Sequence, residues 1–178
     1  MAVLNLPNRL TILRILMAPV IIILLLYKAP GYALAVFCLA GLTDALDGFI
    51  ARSFHQKTSL GMILDPLADK LLLTSCFVTL AFLREIPRWF AVVAVSRDVI
   101  LIGGALILLI HFGKVGIPPS ILGKVATGLQ FLTVLLAMLD NFVSPLHPAL
   151  FPLVIAAAFV TVLSGLDYVY RGTHLLGD

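Results

Sequence analysis

Four aspartates, Asp44, Asp47, Asp65 and Asp69, fall within one short stretch of a chain that carries only nine acidic side chains. They form two pairs, three and four positions apart, separated by the polar run ARSFHQKTS at 51–59. Residues so spaced share one face of a helix. If one pair closes a helix and the other opens the next, a reversal at 53–59 brings two carboxylates from each helix to one cavity. Gly48, Ala51 and Gly61 leave the adjoining helix surface bare, so a ligand or a backbone can approach closely. Four converging carboxylates cannot all stay ionised without compensation; they take up protons or bind cations. All-oxygen donors favour Mg²⁺, Mn²⁺ or Ca²⁺. Two such ions about 3.5–4 Å apart are a common device for phosphoryl and phosphodiester chemistry. Any one of these acids reads equally well as a solvated helix cap, but four at this spacing do not.

The elements that must hold them are membrane helices. Of 178 residues, 61% are hydrophobic and 12% charged, and the mean hydropathy is +1.13. That charged share is about half the ~25% usual in soluble domains. A bilayer-spanning helix needs about 20 mostly apolar residues. Six segments qualify, roughly 10–27, 32–50, 60–83, 89–111, 120–139 and 147–170. The expected fold is an all-α integral membrane protein: one domain over 1–178, six transmembrane helices in one bundle, and an interfacial segment at 1–14. With a cytoplasmic N-terminus, Arg9, Arg14, Arg52, Lys57, Lys70, Lys114, Lys124 and Arg171 lie inside, and Lys28, Arg84 and Arg88 outside. That bias obeys the positive-inside rule and turns the aspartates toward the cytoplasm.

Several classes are disfavoured. The net charge of +3 is scattered with no basic run, so nucleic acid is not expected as a partner. Cys38 and Cys76 lie in apolar segments and read as buried free thiols. His55, His111, His147 and His174 lack ligand-like spacing, which argues against zinc. Tyr27 and Trp89 suit an aromatic belt at the outer interface. The first apolar run lacks a small-x-small cleavage site, and no transit peptide precedes it; a bacterial cytoplasmic membrane is the expected location.

The stretch spells Asp44-x2-Asp47-Gly48-x2-Ala51-Arg52-x8-Gly61-x3-Asp65-x3-Asp69. It resembles the signature of the CDP-alcohol phosphotransferase (CDP-alcohol phosphatidyltransferase) family, with every fixed position filled. The likeness extends through PNRLTILR at 7–14 and the six apolar segments. It implies a six-helix membrane enzyme, usually a homodimer, that displaces CMP from a CDP-linked lipid or alcohol with an alcohol hydroxyl. It further implies Asp44, Asp47, Asp65 and Asp69 as ligands for two Mg²⁺ or Mn²⁺ ions, and Asp69 as the general base. Asp47, Gly48, Ala51, Arg52 and Gly61 would border the CDP moiety of CDP-diacylglycerol.

The motif leaves the acceptor open. AGLTDALDGFIAR, LDPLADK, SRDV and GKVATGLQ are similar to the CMP-forming cardiolipin synthases, whose acceptor is phosphatidylglycerol. The glycerol 3-phosphate-using phosphatidylglycerophosphate synthases share much of this, including a stretch like Ser164–Tyr168. They commonly carry Arg-Glu in helix four with a second Arg eight residues on; here the pair is Arg97-Asp98 and position 105 is Ala. That departure favours phosphatidylglycerol. An intramembrane charge is costly and faces a cavity or a partner, so Arg97 either binds a phosphate or is satisfied within the bundle. Lys124 either contacts an anionic headgroup or snorkels, and Arg14 can reach a headgroup or phosphate. The non-enzyme alternative is a cation-coupled transporter. It is weaker because such sites lie near the bilayer midplane on broken helices, whereas these acids adjoin a polar loop.

Overall fold

Each apolar run folds into one helix. The computed structural model describes residues 6–53, 59–112, 120–140, 142 and 147–177, with side chains for 10–44, 67–107, 110, 120–140, 142 and 148–173. The helices among them are α1 (Leu6–Leu26), α2 (Pro30–Ser53), α3 (Ser59–Phe82), α4 (Arg88–Phe112), α5 (Ile121–Asp140) and α6 (His147–Gly177). Of the segment 1–14, expected to be interfacial, residues 6–14 are described, and they run on into the apolar run within α1. Among the described residues, three helices carry stretches long and apolar enough to cross a membrane, Arg88–Ile107, Ile121–Asp140 and Pro148–Thr173. Shorter apolar stretches occupy Leu10–Leu26 and Pro30–Asp44. Side chains of α2 are described as far as Asp44, and the helix continues to Ser53.

Apolar side chains cover both the inside and the outside, as a lipid solvent allows. Val92, Val99 and Phe159 are exposed on the outer surface, whereas Ile21, Phe37, Phe77, Leu80, Phe90, Val134, Met138 and Val154 fill the core. Buried alanines, among them Ala33, Ala40, Ala94, Ala137 and Ala157, let helix backbones approach closely. Phe37 of α2 stacks on Phe131 of α5 with ring centroids 4.7 Å apart, and Phe77 of α3 meets Phe90 of α4 edge-on at 5.5 Å. Gln130 of α5 donates to Thr161 Oγ1 of α6 across 3.1 Å in the buried interior. Cys76 is buried, but Cys38 is exposed because it lies on the outward side of α2; both are free thiols. Tyr27 and Trp89 are exposed beside the α1–α2 and α3–α4 turns.

Those two turns share one construction. Ala29 N–H donates to the Leu24 carbonyl and Lys28 N–H to that of Leu25; Glu85 and Arg84 repeat the pattern onto Leu80 and Ala81. These are the paired bonds of a Schellman helix end. The residue that must adopt the left-handed conformation is Lys28 in one (φ 56°) and Arg84 in the other (φ 66°). A cation there faces the negative end of the helix dipole, which offsets part of the backbone strain.

For the site, the decisive packing is that of α1, which lies against both α2 and α3; α5 and α6 pair, and α4 packs on α6 and α3.

Candidate active site

Three elements place the described part of the site. Arg14 lies two turns into α1, Asp44 nine residues before the end of α2, and Asp69 ten residues after the start of α3. At 1.5 Å per residue each is about 12–15 Å from its helix end. The aspartates expected at helix boundaries therefore sit within the helices. α2 continues as a helix through ALDGFIARS to Ser53.

Asp44 and Asp69 meet through Arg14. Arg14 Nη1 is 2.8 Å from Asp44 Oδ1 and 2.7 Å from Asp69 Oδ1. The arginine side chain is wholly buried, while those of the aspartates are 49% and 41% exposed. Packing of α1 against α2 and α3 turns the Arg14 guanidinium inward, onto the carboxylates. Spacing correctly put acids of two helices in one place, but it did not supply the third helix that joins them. The signal was present, since an arginine inside an apolar run needs a counter-charge and the chain offers few.

Asp47, Gly48, Ala51 and Arg52 lie on the last turns of α2, and Gly61 and Asp65 on the first turns of α3; their side chains lie outside the described residues. Among the described residues, no three metal-ligating side chains come together. The two described carboxylates nonetheless suit a hard divalent cation. Their Oδ1 atoms already converge on one cationic nitrogen, and carboxylate oxygen is the donor such ions prefer.

A second polar cluster begins next to Asp69. Lys70 Nζ is 3.7 Å from Asp98 Oδ1 of α4, and Arg97 Nη1 donates to the same oxygen at 2.9 Å. Arg97 Nη2 donates to Ser164 Oγ of α6 at 3.1 Å and approaches the Gly123 carbonyl of α5 at 3.4 Å. Arg97 is a buried guanidinium joining α4, α5 and α6. Gly123 permits this, because a Cβ there would stand 3.3 Å from Arg97 Nη2. Lys124, on the first turn of α5, is exposed. Sequence reading missed Lys70 as a partner of Asp98. Its only signal was a lysine beside Asp69 in an apolar helix.

The described bundle thus gathers aspartates from two successive helices, Asp44 of α2 and Asp69 of α3, around one half-open polar site. Residues 4–164 match the family CDP-alcohol phosphatidyltransferase. The chain is 35% identical to a probable phosphatidylglycerophosphate synthase of Mycobacterium tuberculosis, over 97% of this chain and 84% of that protein. It is 35% identical to a CMP-forming cardiolipin synthase of Rattus norvegicus, over 94% of this chain and 61% of that one. It is 32% identical to the CDP-diacylglycerol–glycerol-3-phosphate 3-phosphatidyltransferase of Bacillus subtilis, over 97% of both. The chain belongs to the CDP-alcohol phosphatidyltransferase family. It is an integral membrane enzyme of phospholipid synthesis, and the transporter alternative is set aside.

Proposed function

We propose that the enzyme transfers the phosphatidyl group of CDP-diacylglycerol to the free glycerol hydroxyl of phosphatidylglycerol, giving cardiolipin and CMP. In this reading six helices cross the membrane as one bundle. The N-terminus and the aspartates face the cytoplasm of a bacterial inner membrane, and the working unit is a homodimer.

The acceptor hydroxyl attacks the phosphorus that bears the diacylglycerol. A new P–O ester bond forms, the pyrophosphate P–O bond breaks, and its electron pair leaves with CMP. Asp69 takes the hydroxyl proton as general base. Asp44, Asp47, Asp65 and Asp69 hold divalent cations, which when bound supply charge neutralisation at the pyrophosphate and the leaving CMP. Asp47 and Asp65 lie one turn from Asp44 and Asp69 on the same continuous helices. Gly48, Ala51 and Gly61 leave room for the nucleotide, with Arg52 beside it.

One observation carries the acceptor choice. Next to Asp69, the cations Lys70 and Arg97 both converge on Asp98. That side of the site therefore carries a single net positive charge, which suits the singly charged phosphodiester of phosphatidylglycerol better than a phosphate dianion. Lys124, exposed on α5, would meet the acceptor headgroup. Glycerol 3-phosphate is the second reading, favoured by the end-to-end match to the Bacillus subtilis enzyme.

The test offers both acceptors in parallel to the purified enzyme with labelled CDP-diacylglycerol and Mg²⁺ or Mn²⁺. Cardiolipin formation supports the proposal. Phosphatidylglycerophosphate formation keeps the chemistry and overturns the acceptor.

A further inference from the structure

We propose that Arg14 is a positioning residue: it acts as a built-in cation that holds Asp44 and Asp69 in apposition when divalent ions are absent. This rests on the reading of Asp44 and Asp69 as metal-binding carboxylates, and it concerns a residue on neither of their helices.

The geometry is asymmetric. The guanidinium is enclosed entirely, while both carboxylates remain about half open. Arg14 thus reaches the acids from the closed side and leaves their open side for ligands. A single nitrogen serves both acids, and each uses the same oxygen, Oδ1. The two carboxylates come from different helices and would repel each other across the site. One guanidinium between them leaves the three groups with a single net negative charge instead of two. Its placement is enforced by α1, which packs against both α2 and α3. Nε and Nη2 of Arg14 have no hydrogen-bond partner among the described residues. The side chain is therefore held there chiefly by the two carboxylates, because an enclosed guanidinium without a counter-charge is strongly disfavoured.

A positioning cation predicts a specific coupling between Arg14 and metal. Without Arg14, a divalent ion must do the whole work of bringing the acids together, so the variant depends on metal for stability more than the parent does. A purely space-filling arginine would lower stability equally with and without metal.

The experiment is thermal unfolding of the full chain in detergent–lipid micelles, in EDTA and in Mn²⁺, for the parent, Arg14→Met, Arg14→Lys, Asp44→Asn and the Arg14→Met/Asp44→Asn double variant. In EDTA, Arg14→Met is expected to unfold about 5 °C or more below the parent, with Arg14→Lys recovering part of the loss. The double variant should unfold above the temperature that the two single losses would give if they added. Mn²⁺ should raise the unfolding temperature of Arg14→Met more than that of the parent. Additive losses in EDTA, or a rise with Mn²⁺ that is equally large in parent and Arg14→Met, would overturn the proposal. Should Arg14→Met not fold, Arg14→Lys carries the same cycle, with additivity again the contrary result. Non-additivity in EDTA with a flat Mn²⁺ response throughout would support the ion-pair role and overturn the metal reading of the site.

Discussion

Arg97 of α4 and Ser164 of α6 meet across 3.1 Å inside the bundle, with Asp98 and the Gly123 carbonyl completing the guanidinium's surroundings. This makes Arg97 a junction of helices. Arg97→Met leaves Asp98 with Lys70 alone and removes the tie to α5 and α6. Breaking a buried pair from one side costs about 3–5 kcal/mol, so a marked fall in unfolding temperature is expected. Arg97→Lys should rescue little, since a point-charge ammonium cannot serve three acceptors on three helices as the planar fork does. Ser164→Ala should cost about 1 kcal/mol. A thermal series on the three variants checks the order.

Gly41 of α2 faces the Phe131 ring of α5, where an added Cβ would come within 2.8 Å. Phe131 cannot easily yield, because it stacks on Phe37. Gly41→Val is therefore expected to destabilise by about 1–3 kcal/mol through overpacking. Phe131→Leu in the same chain should recover part of it, and a denaturation comparison of single and double variants measures how much.

Arg84 closes α3 in the left-handed conformation at φ 66°, which costs a side-chain-bearing residue roughly 1–2 kcal/mol. Glycine removes that strain but also the charge at the helix end, worth about 0.3–1 kcal/mol. Arg84→Gly is expected to stabilise slightly, by about 0.5 kcal/mol. A lower unfolding temperature would mean that the charge outweighs the strain.

Much of this was legible in the chain itself. The six described helices follow the apolar runs, because the length of an apolar run sets where its helix lies. The meeting of Asp44 with Asp69 followed from helical spacing and a short polar reversal. Spacing could not reveal Arg14, since nothing local says which neighbour α1 packs against. Nor could it show Lys70, Asp98, Arg97 and Ser164 as one cluster, because those contacts span three helices distant in sequence. The ends of helices were the least readable. The apolar run predicts a helix to about residue 50, and α2 carries on through Ala51 and Arg52 to Ser53.

The role of metal is checked by titration. Removing divalent ions with EDTA should abolish CMP release, and Mg²⁺ or Mn²⁺ should restore it. Asp44→Asn should raise the ion concentration needed for half-activity about tenfold or more, the loss of one charged ligand being worth at least 1.4 kcal/mol.

The most direct test of the central claim is the single substitution Asp69→Asn. Turnover of CDP-diacylglycerol with phosphatidylglycerol and Mn²⁺ would be followed as CMP release, alongside binding of CDP-diacylglycerol to the same preparation. Loss of CMP release by two orders of magnitude or more, with CDP-diacylglycerol binding largely kept, is the predicted result. CMP release at the parent rate from folded Asp69→Asn would contradict the assignment of Asp69 as the base.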